Sequence, residues 1–193
     1  ERSLAIVREV QKQGGVHLGD VVETFDMAKS TAYKHLKTLE NEGYLVKEGS
    51  QYHIGLKFTN RGEYARARRP AYRIAANKVD ELAERTDEEV DFMVENDLRG
   101  VTVHLSYNPT NPYQEQSVDP SNKHWRVGSY YLLHSIGAGK AIMSEMSRET
   151  VEAVVEKWGL PKRTEKTITD RETLFERMQR VRDQGYVYSE GED

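Results

Sequence analysis

Residues 18–54 of this 193-residue chain read LGDVVETFDMAKSTAYKHLKTLENEGYLVKEGSQYHI, and this stretch decides the fold. Ala32, Leu36 and Leu39 recur at i, i+4 and i+7, the spacing of one buried helical stripe. Ser30, Tyr33, Lys34 and Lys37 fall on a different face, which is cationic, aromatic and hydroxylic and reads as free of acidic residues. A helix that buries one side and offers such a set on the other suits the major groove of DNA.

Working outward, residues 3–13 predict a first helix with Leu4, Val7 and Val10 on one face, ended by Gly14-Gly15. A second helix over 18–25 buries Leu18, Val21, Val22 and Phe25. Asp26-Met27 makes the turn, because Asp tolerates a left-handed backbone better than most residues. The third helix runs from about Ala28 to Glu42 and stops at Gly43. Residues 44–47 and 51–54 predict two short strands around Glu48-Gly49-Ser50. Three helices followed by a hairpin is a winged helix-turn-helix, expected over residues 1–56. Lys29, Ser30 and Thr31 stand at the start of its third helix, where free amides and small hydroxyls suit a phosphate. Tyr33, Lys34, Lys37 and Thr38 lie further along, within reach of base edges or the flanking backbone. Taken singly, the lysines also fit a solvated surface and Tyr33 a packing role. The groove geometry accounts for all of them at once. Glu48, at the tip of the wing, opposes phosphate approach.

Composition divides along the chain. The net charge is −4, yet residues 1–69 hold 12 Lys/Arg against 9 Asp/Glu, and the remainder is correspondingly acidic. This asymmetry points to a nucleic-acid-facing front and a differently employed back. No run of about 18 apolar residues is present, so a membrane span is not expected. The opening ERSLAIVREVQK is amphipathic and charged, unlike a secretory signal. The absence of cysteine excludes disulfides and thiolate metal sites and suits a cytoplasmic protein.

The connector, residues 57–69, is Arg-rich, and Pro70 opens a helix whose apolar positions are Tyr72, Ala75, Ala76, Val79, Leu82 and Ala83. Beyond Thr86 the period becomes two. Val90, Phe92 and Val94 alternate, Asn96-Asp97 turns, and Val101, Val103 and Leu105 alternate again, predicting an antiparallel hairpin. Residues 108–120 predict a loop and 125–133 a strand. Helices are expected near 139–146, 147–158 and 170–184, the last with a Thr169-x-x-Glu172 capping box, and Tyr186-Val187-Tyr188 starts another strand. The fold class is thus α+β, with an antiparallel-sheet domain and flanking helices over residues 70–193. Gly137-Ala138-Gly139-Lys140 is the candidate small-molecule contact, since glycines admit close approach and helix-start amides attract a carboxylate. Close strand–helix packing is the competing explanation of those glycines. Tyr130, Tyr131, His104 and His134 are candidates to face such a pocket, and alternation leaves open which do.

Two separated segments resemble the IclR family of transcriptional regulators. The first comprises Lys29-Ser30-Thr31, Leu36-Lys37-Thr38-Leu39 and Tyr52-His53-Ile54-Gly55-Leu56, similar to that family's DNA-binding domain. Asp26 and Ala28 depart from the Gly and Pro usual there. The second is Leu133-His134-Ser135-Ile136-Gly137-Ala138-Gly139-Lys140-Ala141, similar to a segment of the effector domain. The resemblance implies a regulator that binds a double-stranded DNA operator as a homodimer or homotetramer. It further implies a linker helix that helps pair subunits, and a small-molecule effector lined by Ser135, Ile136, Gly137 and Ala138. Effector domains of this family usually continue with further strands, so the chain is expected to be a fragment or a variant lacking part of its sheet. No cofactor, metal or catalytic residue is expected. His104, His124 and His134 lack metal-ligand spacing, and no Gly-x-Ser-x-Gly elbow occurs. The alternative is a protein–protein module, or a small-molecule enzyme that uses its winged helix for non-DNA contacts.

Overall fold

The computed structural model describes residues 1–107, 127–189 and 191–192, and the chain forms two compact units, Glu1–Pro70 and Ala71–Asp193. The expected loop at 108–120, His124 and the first residues of the expected strand at 125–133 lie outside the described residues.

In the first unit, α1 (Arg2–Gln13) ends on Gly14, whose left-handed backbone closes the helix. A two-residue strand, β1 (Val16–His17), leads into α2 (Leu18–Phe25). The His17 amide donates to Asp20 Oδ2 at 2.6 Å, satisfying one orphan donor at the start of α2. Asp26 adopts the left-handed conformation (φ 43°) that the turn requires, without glycine. Then come α3 (Lys29–Asn41), β2 (Leu45–Glu48) and β3 (Gln51–Ile54). The wing is three-stranded in the order β1-β3-β2, with Val16 opposite Tyr52 and Lys47 opposite Tyr52 on the other side. The sequence reading missed β1. One core joins Ile6, Val7, Val10, Val16, Val21, Met27, Ala32, Leu36, Leu39, Leu45 and Tyr52. Leu4, expected inside, is 64% exposed, and Ile6 takes its place. The helix α4 (Lys57–Ala67) has no buried residue.

In the second unit, α5 (Pro70–Thr86) buries Val79 and Ala83, whereas Leu82, expected on that face, is exposed. The hairpin β4 (Val90–Asn96) and β5 (Arg99–Ser106) turns on Asp97 and Leu98, both at positive φ, one residue later than expected. A register shift between Phe92 and Met93 breaks the simple alternation. Facing residues share a side of the sheet, so Met93–Thr102 lies on the face opposite Phe92–His104. The buried positions of β5 are therefore Gly100 and Thr102, and the alternating Val101, Val103 and Leu105 are only half-buried.

The strand expected over 125–133 reduces, among described residues, to β6 (Tyr130–Tyr131) and an isolated bridge at Val127. A single 3-10 turn at Leu133–Ser135 follows and leads into α6 (Gly137–Ser144). Next are α7 (Arg148–Trp158) and α8 (Arg171–Gln184). The cap of α8 is Asp170, which accepts from the Thr173 amide, and not the expected Thr169 box. Tyr186, Val187 and Tyr188 form no strand. The core of this unit gathers Leu133, Met143, Val151, Val154, Val155, Ile168, Leu174 and Met178.

Candidate nucleic-acid interface and effector site

The buried stripe Ala32-Leu36-Leu39 fixes the rotation of α3 and so determines what it presents. Lys29, Ser30, Tyr33, Lys34 and Thr38 are exposed, and Thr31 is half-buried. Ala28 caps the helix with no side-chain hydrogen bond. Its carbonyl accepts from the Thr31 and Ala32 amides at 2.8 and 3.0 Å, so the first-turn amides of Lys29 and Ser30 have no acceptor within the helix. That end offers two outward N–H donors and two hydroxyls to an anion.

Lys37 departs from the sequence reading. Its ammonium lies 3.1 Å from Glu40 Oε2, and this hydrogen bond holds its pKa above the ordinary lysine value. The presented face therefore carries one acidic residue after all. It went unnoticed because Glu40 sits three residues on, in the next turn, where an i,i+3 partner reaches back. Elsewhere in this unit, His53 Nδ1 stands 2.9 Å from the Gly14 carbonyl oxygen, and the His17 ring contacts Ser50 O and Gln51. These contacts tie the wing to the segment between α1 and α2.

In the second unit the residues Ser135, Ile136, Gly137 and Ala138 are brought together at the start of α6. Ser135 is buried and donates to the Leu132 carbonyl at 3.1 Å, Ile136 and Gly137 are half-buried, and Ala138 is exposed. Ile136 precedes the helix in extended conformation with no side-chain cap, which leaves the first α6 amides without helical acceptors. The two glycines have different duties. A Cβ on Gly139 would come within 2.6 Å of Leu133 Cα, so this glycine is required by packing. A Cβ on Gly137 would meet Ser189, with Cβ nearest at 3.2 Å and the backbone N at 3.8 Å.

Lys140 is wholly buried and lies 2.9 Å from Glu192 Oε1, close enough for an ion pair but not aligned as a hydrogen bond. The Glu192 carbonyl accepts from Thr167 Oγ1 at 2.6 Å, and the Gly191 carbonyl from Thr164 Oγ1 at 2.7 Å. The tail of the chain thus runs beside the start of α6. Sequence reasoning missed Ser189 and Glu192, and no local signal marks a contact across some fifty residues. His134 is buried with Nε2 3.1 Å from the Pro161 carbonyl oxygen. His104 pairs with Asp80 at 2.8 Å and holds that carboxyl below the ordinary aspartate value. Tyr130 takes a hydrogen bond from Asn96, and its ring stacks on Arg99, which also covers Trp158. Among the described residues no cluster of three potential metal ligands occurs, and no helix is long and apolar enough to cross a membrane.

Comparison with known proteins agrees with this architecture. Residues 1–49 match the IclR helix-turn-helix domain, and residues 67–193 match the bacterial transcriptional regulator IclR C-terminal domain. The chain is 28% identical over 196 residues to the probable HTH-type transcriptional regulator ArcR of Halobacterium salinarum, covering 99% of this chain and 71% of that protein. It is 26% identical over 195 residues to the HTH-type transcriptional repressor AllR of Salmonella typhi, covering 100% and 68%. The crystal structure of Thermotoga maritima IclR shares the fold with a TM-score of 0.70 at 24% identity, over 95% of this chain and 73% of that one. An IclR regulator from Alicyclobacillus acidocaldarius gives 0.74 at 22%, over 98% and 76%. These relatives are named as regulators, not enzymes, and the alternative of an enzyme or a protein–protein module is not favoured. With a helix-turn-helix in front and an effector domain behind, the chain belongs to the IclR family of bacterial transcriptional regulators.

Proposed function

We propose that this chain reads a double-stranded operator as a homodimer, or as a tetramer built from two such dimers. Lys29, Ser30, Thr31, Tyr33, Lys34, Lys37 and Thr38 would make the DNA contacts. The observation that carries this reading is the exposed set Lys29, Ser30, Tyr33 and Lys34 on a helix whose opposite stripe is locked in the core. A two-fold dimer is the natural reader of paired half-sites. A cytoplasmic location, beside the operator, goes with this reading. The boundaries that suit it are a reader over residues 1–56, a linker helix over 57–69 and a sensor over 70–193.

The sensor takes a small organic acid, derived from a sugar or an aromatic compound, at Ser135, Ile136, Gly137 and Ala138. Support comes from the uncapped start of α6 and from the limited obstruction at Gly137. A solved IclR homologue from Microbacterium hydrocarbonoxydans is described as complexed with 4-hydroxybenzoate, an acid of this class. Effector binding changes operator affinity, a coupling typically of about 1–3 kcal/mol.

Fluorescence anisotropy on duplex DNA from the upstream region tests the first part. Affinity falls steeply with salt, as lysines displace counterions, and the Lys34→Ala, Lys37→Ala double variant binds weakly while keeping its fold. No binding at low salt would sink the reading. A thermal-shift screen of small carboxylic acids, 4-hydroxybenzoate included, tests the second. A stabilising acid whose effect Gly137→Leu abolishes supports the α6 site, and one indifferent to that change moves it elsewhere.

A further inference from the structure

We infer that Tyr33 sets the base preference of the recognition helix by packing its ring on the 5-methyl group of a thymine in each half-site. The inference rests on the DNA-reading role proposed above and specifies what is read. Ser30, Tyr33, Lys34 and Lys37 follow one another at i, i+3, i+4 and i+7 along α3, so Tyr33 and Lys34 occupy the middle of the face.

Usual bidentate readers are missing from that middle. Arg and Gln do not occur in α3, and its one Asn, Asn41, is the last residue of the helix. Arg to guanine and Asn or Gln to adenine are the pairings that discriminate by two hydrogen bonds, so this face lacks them. Lys37 is engaged by Glu40 at 3.1 Å. Lys34 is a flexible point charge that neutralises phosphate as readily as it meets a base.

Tyr33 remains. The residue is 49% exposed, and among the described residues it makes no hydrogen bond, ion pair or ring contact. An aromatic ring held in solvent at the centre of a groove-facing helix gains by covering apolar surface. The apolar landmark on the major-groove floor is the thymine methyl. The phenolic hydroxyl, at the far end of the ring, is left to water or phosphate.

The experiment uses duplexes enriched by the full chain from a random-sequence library. Each thymine of an enriched duplex is replaced in turn by deoxyuridine, which removes the methyl and keeps the Watson–Crick edge. One position in each half-site should lose about fourfold in affinity, the value of one buried methyl. Tyr33→Ala should bind the parent duplex more weakly and show no deoxyuridine effect, and Tyr33→Phe should retain it. Because the side chain is exposed, both variants should melt like the parent protein. A sequence-selective protein with a flat deoxyuridine scan overturns the inference, as does a Tyr33→Ala variant with an unchanged scan. So does salt-dependent binding that enriches no sequence. Failure to bind any duplex at low salt is a different result, and it removes the DNA-reading proposal itself.

Discussion

The helices α3 and α6 begin alike and are used in opposite ways. Neither has a side-chain cap, since Ala28 and Ile136 precede them, and both carry lysine within the first turn or so. In α3 the cations face outward and the apolar stripe holds the helix in place. In α6 the lysine is wholly buried against Glu192, and Ser135 and His134 just before the helix are also buried. What α6 has left to offer is backbone, the amides near Gly137 and Ala138. A charged residue near a helix start is therefore left exposed in one unit and locked into the structure in the other. Burial decides which.

The largest effect that tests this contrast is expected at Glu192. Glu192→Ala strands the buried Lys140 ammonium and should cost about 3 kcal/mol in urea unfolding. Lys140→Met combined with Glu192→Leu should recover most of it, whereas Lys34→Ala should stay within about 0.5 kcal/mol of the parent. Equal losses at Lys34 and Glu192 would erase the contrast. Next, Gly139→Ala forces a Cβ into the Leu133 backbone and should cost about 2 kcal/mol. Gly137→Ala, facing only Ser189, should cost clearly less in the same measurement. Third, Ala28→Ser gives α3 the cap it lacks. It should raise stability by about 1 kcal/mol while weakening DNA binding, because the new hydroxyl competes with phosphate for the first-turn amides. Unchanged affinity would show that those amides do not meet the DNA.

The smallest effect concerns acid. The His104 hydrogen bond holds the Asp80 carboxyl below the ordinary aspartate value, with Ser106 assisting and burial opposing. A depressed carboxyl adds stability that is present above the unfolded value of about 3.9 and is lost as pH falls through the folded one. Asp80→Asn should therefore flatten the acid limb of the stability curve below about pH 4. A steeper acid limb in the variant would contradict the pairing.

Legibility followed the range of the forces. The α2 boundaries agree at both ends with the sequence reading, and those of α3 within one residue, because the apolar period is local and Asp26 and Gly43 stop the chain by their own backbone preferences. β1 was hidden, since two residues are too few to show a period and its partners, Tyr52 and Gln51, lie far along the chain in β3. The register shift at Phe92/Met93 turned a clean Val-x-Val alternation into a misleading one. At the candidate sites, outward-facing residues of α3 were readable from periodicity alone. The pairing of Lys37 with Glu40 was not, nor was the approach of Ser189 and Glu192 to α6, because these depend on rotamers and on a tail folded back over the domain.

The exit from the wing has a mechanical consequence. The Gly55 amide donates to the Tyr44 carbonyl at 2.8 Å, and a Cβ there would lie 3.0 Å from the Tyr44 carbonyl carbon. Lys57, the first residue of α4, approaches Gly43, which follows the end of α3. The chain therefore leaves the wing pressed against the terminus of the recognition helix, with no slack between β3 and α4. On the coupling proposed above, rotation of α4 would carry the end of α3 with it. Inserting two glycines between Leu56 and Lys57 should act as a clutch. Operator and effector would each bind as before, but titrating one would cease to shift the affinity for the other.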